Sequence, residues 1–133
     1  MELITRKLCI AKDIGVHGNL FGGLMLAWLD ESGAIMASRI CKTKKMVTLK
    51  FEEVVFVKPV KENHEINIYG EIENIGTTSI TIRLSAKRYD VYDQTEEVVC
   101  STRVVFVRVS HEGKKRPIDL EVREKYKKEN GKK

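Results

Sequence analysis

The feature that most constrains the fold is one long apolar helix in a chain that otherwise has the pattern of strands. Residues 22–40 lack proline, are rich in Ala, Leu and Met, and repeat apolar residues at helical spacing. Because the helix is apolar nearly all round, we expect it to be buried nearly all round. A domain of this size can bury such a helix only if other elements wrap around it.

The remaining segments indicate which elements wrap around the helix. Alternating apolar residues indicate strands at residues 3–11, 46–58, 64–75, 79–92 and 97–109. The alternation shifts at Glu52 and Glu53, which predicts an irregularity within its strand. A strand, a long helix and four consecutive strands predict an α+β fold with an antiparallel β-sheet wrapped around one central α-helix.

Composition excludes several classes of protein. With 42% hydrophobic and 32% charged residues in 133, the chain is neither disordered nor a membrane protein. Its longest apolar run, residues 22–29, is far shorter than the ~20 residues that a spanning helix needs. The first residues lack the pattern of a secretory signal, and the three cysteines form no CxxC pair. We therefore predict a cytoplasmic protein with reduced thiols and no membrane partner.

The positive charge is concentrated at one end of the chain. Residues 112–133 hold nine basic and five acidic residues, whereas the whole chain has a net charge of +5. We predict one domain over residues 1–112 and a basic C-terminal tail, 113–133, that is partly helical or disordered. Only Tyr126 interrupts this tail with an aromatic ring, so a nucleic-acid partner is not expected.

Asp30 is the polar residue that fits its helix least well. It shares a stripe with Ala27, Ala34 and Ala37, and no cation lies three or four residues away on the helix. A buried carboxylate without a partner costs several kcal/mol, so its presence needs a reason. One reading places Asp30 on a solvated strip of the helix. The apolar surroundings favour the other reading, a functional carboxylate.

A second cluster, His17-Gly-Asn-Leu-Phe-Gly-Gly23, directly precedes the helix. Gly22 and Gly23 leave the first-turn amides uncovered by side chains, and a helix start carries free N–H groups and a positive dipole end. That arrangement can stabilise a developing oxyanion. A loop whose glycines merely allow close packing explains the same residues. The histidines and cysteines have no metal-ligand spacing, so no metal is expected.

Together these residues resemble a known family. The stretch from His17 to Gly23 with Trp28-Leu-Asp30-Glu resembles the signature of hotdog-fold acyl-CoA thioesterases, in particular the cytosolic, YciA-type acyl-CoA hydrolases. Weaker matches lie at residues 51–59 and 76–79, and the resemblance covers about residues 5–110. It implies a hotdog fold, an acyl-CoA substrate and no cofactor other than the CoA of that substrate. It also implies that two subunits pair edge to edge and that such dimers form hexamers.

The resemblance also implies roles for individual residues. Asp30 would be the catalytic carboxylate, Asn19 the catalytic-loop residue, and the Gly23 amide the group that polarises the thioester carbonyl. His17, Phe21 and Gly22 would border the substrate. Thr78 and Ser79 match a CoA-contacting loop, although a plain hairpin turn explains them equally well. The basic residues Lys114, Lys115 and Arg116 would meet the phosphates of CoA.

Thioester hydrolysis suits these residues because it needs only a positioned water, a carboxylate and oxyanion donors. Direct attack by the Asp30 carboxylate, which would form an anhydride, remains open at this point. Two other functions also remain open. One is a hotdog hydratase or dehydratase that uses His17, and the other is an acyl-CoA-binding protein without enzymatic activity.

Overall fold

The structure is a computed structural model that describes residues 1–130. In chain order its elements are β1 (Glu2–Leu8), a short 3-10 turn (Ala11–Asp13), α1 (Gly22–Cys41), β2 (Met46–Phe56), β3 (Glu65–Ile75), β4 (Ser79–Asp90), β5 (Thr95–Arg108) and α2 (Leu120–Asn130). The predicted order of a strand, a long helix and four strands is therefore confirmed, and most boundaries agree within two residues.

The five strands form one antiparallel sheet in the order β1-β3-β4-β5-β2. The central strand β4 follows its predicted alternation, because Ile80, Ile82, Leu84 and Ala86 all face the core and are at most 1% exposed. The predicted irregularity in β2 is confirmed: the register with β5 shifts between Glu52 and Val55, and Glu53 has a φ of 52°. β2 lies at an edge of the sheet, so one side of its backbone has no partner strand within the described residues.

The helix α1 lies across the sheet and approaches it most closely at Gly33. A Cβ atom at Gly33 would lie 2.9 Å from Phe106 Cζ and 3.1 Å from Leu84 Cδ1, both on fully buried side chains. Glycine at this position therefore lets the helix axis settle close to β4 and β5. The helix ends at Cys41, because Lys42 adopts the left-handed conformation and donates its N–H to the Ser38 carbonyl.

The helix is not buried all round within one chain, contrary to the expectation from its apolar sequence. The sheet covers a single side, where Met25, Leu29 and Met36 are buried. Ala27 and Ile35 on the opposite side are exposed, and Ile35 retains 46% of its accessible surface. One five-stranded sheet can cover only one side of a helix. The other side remains available for a second molecule.

The segment after residue 112 packs onto the sheet. The amide of Ile118 donates to the Thr77 carbonyl at 2.8 Å, and Ile118 is 1% exposed. In α2 the Val122 side chain is buried, and the Tyr126 hydroxyl donates to the Glu73 carbonyl at 2.9 Å. The predicted domain boundary at residue 112 stays a prediction, and tail residues 131–133 lie outside the described part of the chain.

Candidate active site

Asp30 lies in the middle of α1 at the border between the covered and the open side of the helix. The Thr48 hydroxyl of β2 donates a hydrogen bond to Asp30 Oδ1 at 2.6 Å. Within residues 1–130, no cation lies within 4.0 Å of the carboxylate and no protein donor bonds Oδ2. One carboxylate oxygen is therefore held in place, and the other can accept a proton or contact a ligand.

The surroundings of Asp30 on the open side are small side chains. Ala27 is exposed, Ala34 is half-buried, and Gly23 lies further along the same stripe towards the start of the helix. These residues leave room in front of the carboxylate for another molecule. Sequence analysis identified this stripe, but it missed Thr48, which is the partner that orients the carboxylate.

The start of α1 has uncovered amides. The Phe21 carbonyl accepts hydrogen bonds from Leu24 and Met25, whereas the amides of Gly22 and Gly23 have no acceptor among the described residues. A Cβ atom at Gly23 would lie 2.7 Å from the Phe21 ring, so a side chain there would displace that ring. These two N–H groups, at the positive end of the helix dipole, can bind an oxygen that carries negative charge.

Asn19 and His17 lie in the loop that leads into the helix. Asn19 Oδ1 accepts a hydrogen bond from the Lys61 ammonium, and its backbone oxygen accepts one from the Gly15 amide at 2.8 Å. His17 is exposed and makes no side-chain hydrogen bond to residues 1–130. The side-chain and backbone oxygens of Asn19 thus each accept a hydrogen bond, whereas no described residue holds the His17 ring in one orientation.

A cavity of about 240 Å³ opens beside Asn19. Its walls are mostly apolar and include Leu20, Met25, Phe56, Val60 and Val99. The cavity lies at the same end of the molecule as the Gly22 and Gly23 amides, since Phe56 Cζ is 3.4 Å from the position of a Cβ atom at Gly22. An apolar group of a ligand held at these amides could therefore enter it.

One chain does not bring its own Asp30 to its own helix start. Asp30 lies seven positions after Gly23, which corresponds to ~10 Å along the helix axis. A carbonyl oxygen must lie about 3 Å from its oxyanion donors, and the base must reach the carbonyl carbon directly or through one water. The helix start and Asp30 are therefore not adjacent within a single chain.

The remaining candidates meet at the opposite end of the helix. The Arg108 amide donates to the Thr78 carbonyl at 2.9 Å, and the Arg116 amide donates to the Arg108 carbonyl at the same distance. These bonds bring the turn that contains Ser79 next to the segment that contains Lys114 and Lys115. In that turn the Ser79 carbonyl accepts from the Gly76 amide at 2.8 Å, as in an ordinary hairpin.

Two further basic residues at this end escaped sequence analysis. Lys45 Nζ lies 3.2 Å from His111 Nδ1, between the end of α1 and the segment after β5. The signal in the sequence was the basic run from Lys42 to Lys45, but its meeting with residues 108–116 depends on how the strands pair. Together these residues form a positively charged surface that suits a phosphorylated ligand.

The cysteines are not placed to act as nucleophiles. Burial raises the pKa of Cys41 and of Cys100 to about 11, and it raises the pKa of Cys9 as well. All three thiols are therefore protonated at neutral pH and unreactive. Among residues 1–130, no group of three or more His, Cys, Asp or Glu side chains could hold a metal ion. Neither helix of the described chain is both long and apolar enough to cross a membrane.

Comparison with known proteins identifies similar sequences and structures. Residues 17–100 match the family model described as the Thioesterase superfamily. The acyl-CoA thioester hydrolase YciA of Salmonella typhimurium is 30% identical over 128 residues, which cover 90% of this chain and 92% of that protein. A hexameric hotdog fold thioesterase of Campylobacter jejuni superposes with a TM-score of 0.84 at 31% identity, covering 93% of this chain and 95% of that one.

A further similar structure is HI0827, a hexameric broad specificity acyl-coenzyme A thioesterase that was solved as an aspartate-to-alanine mutant. It superposes with a TM-score of 0.88 at 26% identity and covers 98% of both chains.

Proposed function

The chain belongs to the thioesterase superfamily and has the hotdog fold, and from this premise we propose that it hydrolyses acyl-CoA thioesters to free CoA and a carboxylic acid. The observation that carries the proposal is the Asp30 carboxylate, on a helix stripe of small residues: Thr48 holds one oxygen, and the other has no protein donor within residues 1–130. A thioester is an activated acyl group, so a carboxylate and two or three donors suffice for its hydrolysis. The reaction as proposed uses no metal and no cofactor.

In the first form of the mechanism, Asp30 acts as general base. It takes a proton from a water molecule as the water oxygen attacks the thioester carbon, and the Gly23 amide stabilises the resulting oxyanion. The tetrahedral intermediate then expels the thiolate, which receives the proton from Asp30. The C–S bond breaks, a C–O bond forms, and the enzyme returns to its starting state.

In the second form, the free oxygen of Asp30 attacks the thioester carbon directly and expels CoA as its thiolate, which takes a proton from the water that later cleaves the anhydride. Water then hydrolyses the mixed anhydride and releases the carboxylic acid. The Thr48 hydrogen bond supports both forms, because it orients the carboxylate without neutralising it. The two forms differ in one product: if water attacks the Asp30 carbon of the anhydride, only the second form transfers an oxygen atom of Asp30 to the acid in the first turnover.

We further propose that each active site lies between two chains of a homodimer. The ~10 Å between Gly23 and Asp30 within one helix supports this arrangement. Antiparallel packing of two helices related by a two-fold axis would set each start beside the partner's middle. The open side of α1, with its small residues Ala27 and Ala34, allows such an approach.

The edge strand β2 supports the same dimer. It exposes apolar side chains that include Val47, Leu49, Val55 and Phe56, each at least 48% exposed in the single chain. An exposed apolar edge strand is a liability unless another strand pairs with it. We propose that β2 pairs with its symmetry mate, and that three such dimers form a hexamer, as in the hexameric relatives.

In this dimer, one end of the proposed site binds the CoA part of the substrate and the other end binds the acyl group. We propose that the phosphates of CoA lie on the basic surface at Lys114, Lys115 and Arg116, beside Thr78 and Ser79. The acyl group would lie at the other end, with His17, Phe21 and Gly22 at its entrance and the apolar cavity beside Asn19 beyond it. The cytoplasmic location stays a prediction.

A panel of acyl-CoAs of different chain lengths tests the proposed function. We expect release of one CoA thiol per carboxylic acid formed, measured with a thiol reagent and by mass spectrometry. Crotonyl-CoA should be included, because a hydratase would convert it to 3-hydroxybutyryl-CoA without releasing thiol. Hydration without thiol release, or binding without any turnover, would contradict the proposal.

A further inference from the structure

The loop that carries Asn19 is hydrogen-bonded to the connection between β2 and β3. The Leu20 amide donates to the Val60 carbonyl at 2.7 Å, and the Lys61 ammonium donates to Asn19 Oδ1. The side chain of Asn19 is therefore hydrogen-bonded to a residue that lies 42 positions later in the chain. Neither the spacing of motifs nor the resemblance to a family singled out Lys61.

This contact determines which way the Asn19 amide faces. An ammonium group has three donors and no acceptor, so it can bond only the oxygen of the amide. Nδ2 of Asn19 must then point away from Lys61, and within residues 1–130 it donates to no acceptor. Asn19, which lines the cavity, thus keeps a free N–H donor, and that is the polarity that a carbonyl or oxyanion needs.

The backbone of Lys61 is held by hydrogen bonds to His64. Its amide donates to His64 Nδ1 at 2.9 Å, and the His64 amide donates back to the Lys61 carbonyl at 3.1 Å. The His64 carbonyl accepts from the Cys9 amide, which ties this turn to the end of β1. These hydrogen bonds fix the backbone of Lys61. Only its side chain, which reaches from this turn to Asn19, can move.

The charge of Lys61 is not neutralised nearby. No carboxylate of residues 1–130 lies within 4.0 Å of its ammonium, whereas Lys58 in the same connection pairs with Glu97 at 2.7 Å. A lysine that only stabilised the fold would gain most from a carboxylate partner. Lys61 bonds a neutral amide instead and keeps its positive charge next to Asn19, a residue that lines the cavity.

We propose that Lys61 is a positioning residue that sets the Asn19 amide with its N–H towards the thioester and strengthens that donor by its own charge. The inference rests on the proposed function, because it assumes that Asn19 contacts the substrate. Lys61 acts through Asn19 and touches neither the thioester nor the water.

Lys61→Met tests the proposal, because methionine keeps much of the side-chain stem and removes the donor and the charge. We expect kcat for an acyl-CoA to fall about tenfold while KM changes less than about twofold, since the donor is needed mainly in the transition state. Lys61→Arg keeps a donor and should recover most of the activity. Lys12→Met removes one charge from an exposed lysine in the neighbouring 3-10 turn and should leave both constants unchanged.

The coupling to Asn19 separates positioning from a general structural role. If Lys61 acts through Asn19, then Lys61→Met should cause no further loss in an Asn19→Ala background. A full tenfold loss in that background, or wild-type kcat in Lys61→Met, would overturn the inference. Wild-type kcat in Asn19→Ala alone would overturn it too.

These outcomes leave the proposed function intact, because they concern how the enzyme uses two residues. Only a wild-type protein that releases no CoA thiol would reject the proposed function. Melting temperatures of all variants should match that of the wild type within about 2 °C, which shows that the losses do not come from unfolding.

Discussion

The Thr48 hydroxyl donates a 2.6 Å hydrogen bond to the Asp30 carboxylate and joins the edge strand β2 to the middle of the central helix. The two residues are 18 positions apart in the sequence and belong to different elements. Because the bond engages one oxygen only, Thr48 determines the direction in which the other oxygen points. The reactivity proposed for Asp30 therefore depends on the position of β2.

Removing the Thr48 hydroxyl should slow the reaction without stopping it. Thr48→Val keeps the shape of the side chain but leaves Asp30 free to rotate, so we expect kcat to fall roughly tenfold, about 1.4 kcal/mol in transition-state stabilisation. Thr48→Ser keeps the hydroxyl and is the matched control. Equal rates in the valine and serine variants would show that the hydrogen bond does not contribute to turnover.

Asp30→Asn should abolish hydrolysis. Asparagine has the same size and can still accept from Thr48, but it can neither take a proton nor attack a thioester, so we expect kcat to fall at least ~10³-fold with CoA affinity retained. Steady-state kinetics and CoA binding by calorimetry measure the two quantities. The neighbouring Glu31, an exposed carboxylate near Lys7, provides the control. Near-normal turnover in Asp30→Asn, or an equal loss in Glu31→Gln, would remove Asp30 from the mechanism.

Two severely impaired proteins, each with only residual activity, should recover activity when they are mixed. Asn19→Ala and Asp30→Ala would be unfolded together and refolded, so that half of the dimers contain one chain of each kind. If sites lie between chains, every mixed dimer has one intact site, and about a quarter of wild-type activity returns. If sites lie within single chains, the mixture stays as impaired as its parents. The share of mixed dimers is checked by native mass spectrometry.

Removing the charges of Lys114, Lys115 and Arg116 should weaken binding rather than catalysis. Contacts with phosphates far from the thioester stabilise the ground state and the transition state equally, so we expect KM for CoA esters to rise about tenfold with kcat nearly unchanged. A pantetheine ester lacks the nucleotide and should not respond. The same charge loss at residues 125, 127 and 128 of α2 is the control. A matching rise in KM there would indicate a long-range charge effect instead of contact.

Acid should destabilise the fold through His64. Burial lowers the pKa of His64, and the charges of Arg88 and Lys61 lower it further. Since the unfolded chain then binds the proton more tightly, the stabilising effect is complete above the unfolded pKa and is lost as the pH falls through the folded pKa. Protonation of Nδ1 would also break its hydrogen bond with the Lys61 amide.

Thermal melts between pH 7.5 and pH 5 measure this effect. His64→Asn offers an acceptor that does not titrate, so its melting temperature should fall by roughly 2–3 °C less than that of the wild type over this range. His111→Asn removes an exposed histidine and serves as the control. Parallel pH profiles for the wild type and His64→Asn would contradict the prediction.

Periodicity was enough to predict the elements and much of the core. In β4 the apolar face identified from strict alternation is the buried face, and the shift in the pattern at Glu52 and Glu53 marks the bulge of β2. The stripe of Asp30 was recognisable because a carboxylate among alanines contradicts its surroundings. Such predictions succeed where local pattern and global structure agree.

The contacts that orient the site could not be predicted, because they join residues far apart in sequence. Thr48 looks like any polar residue of an alternating strand, and Lys61 like any exposed lysine of a connection. Their roles follow from the register of β2 on β5 and from the position of the connection beside the helix start. An apolar helix side likewise has the same sequence whether its own sheet or a second chain covers it.

The strand order has a consequence for how the chain is made on the ribosome. Among the described strands β2 pairs only with β5, so it has no partner strand in its own chain until the 38 residues between them and β5 itself have been translated. At ~5–20 residues per second this interval lasts on the order of seconds. Throughout it both backbone edges of β2 and its apolar side chains are open to other nascent chains. Synthesis, more than the finished fold, is therefore the stage at which this strand is most open to mispairing.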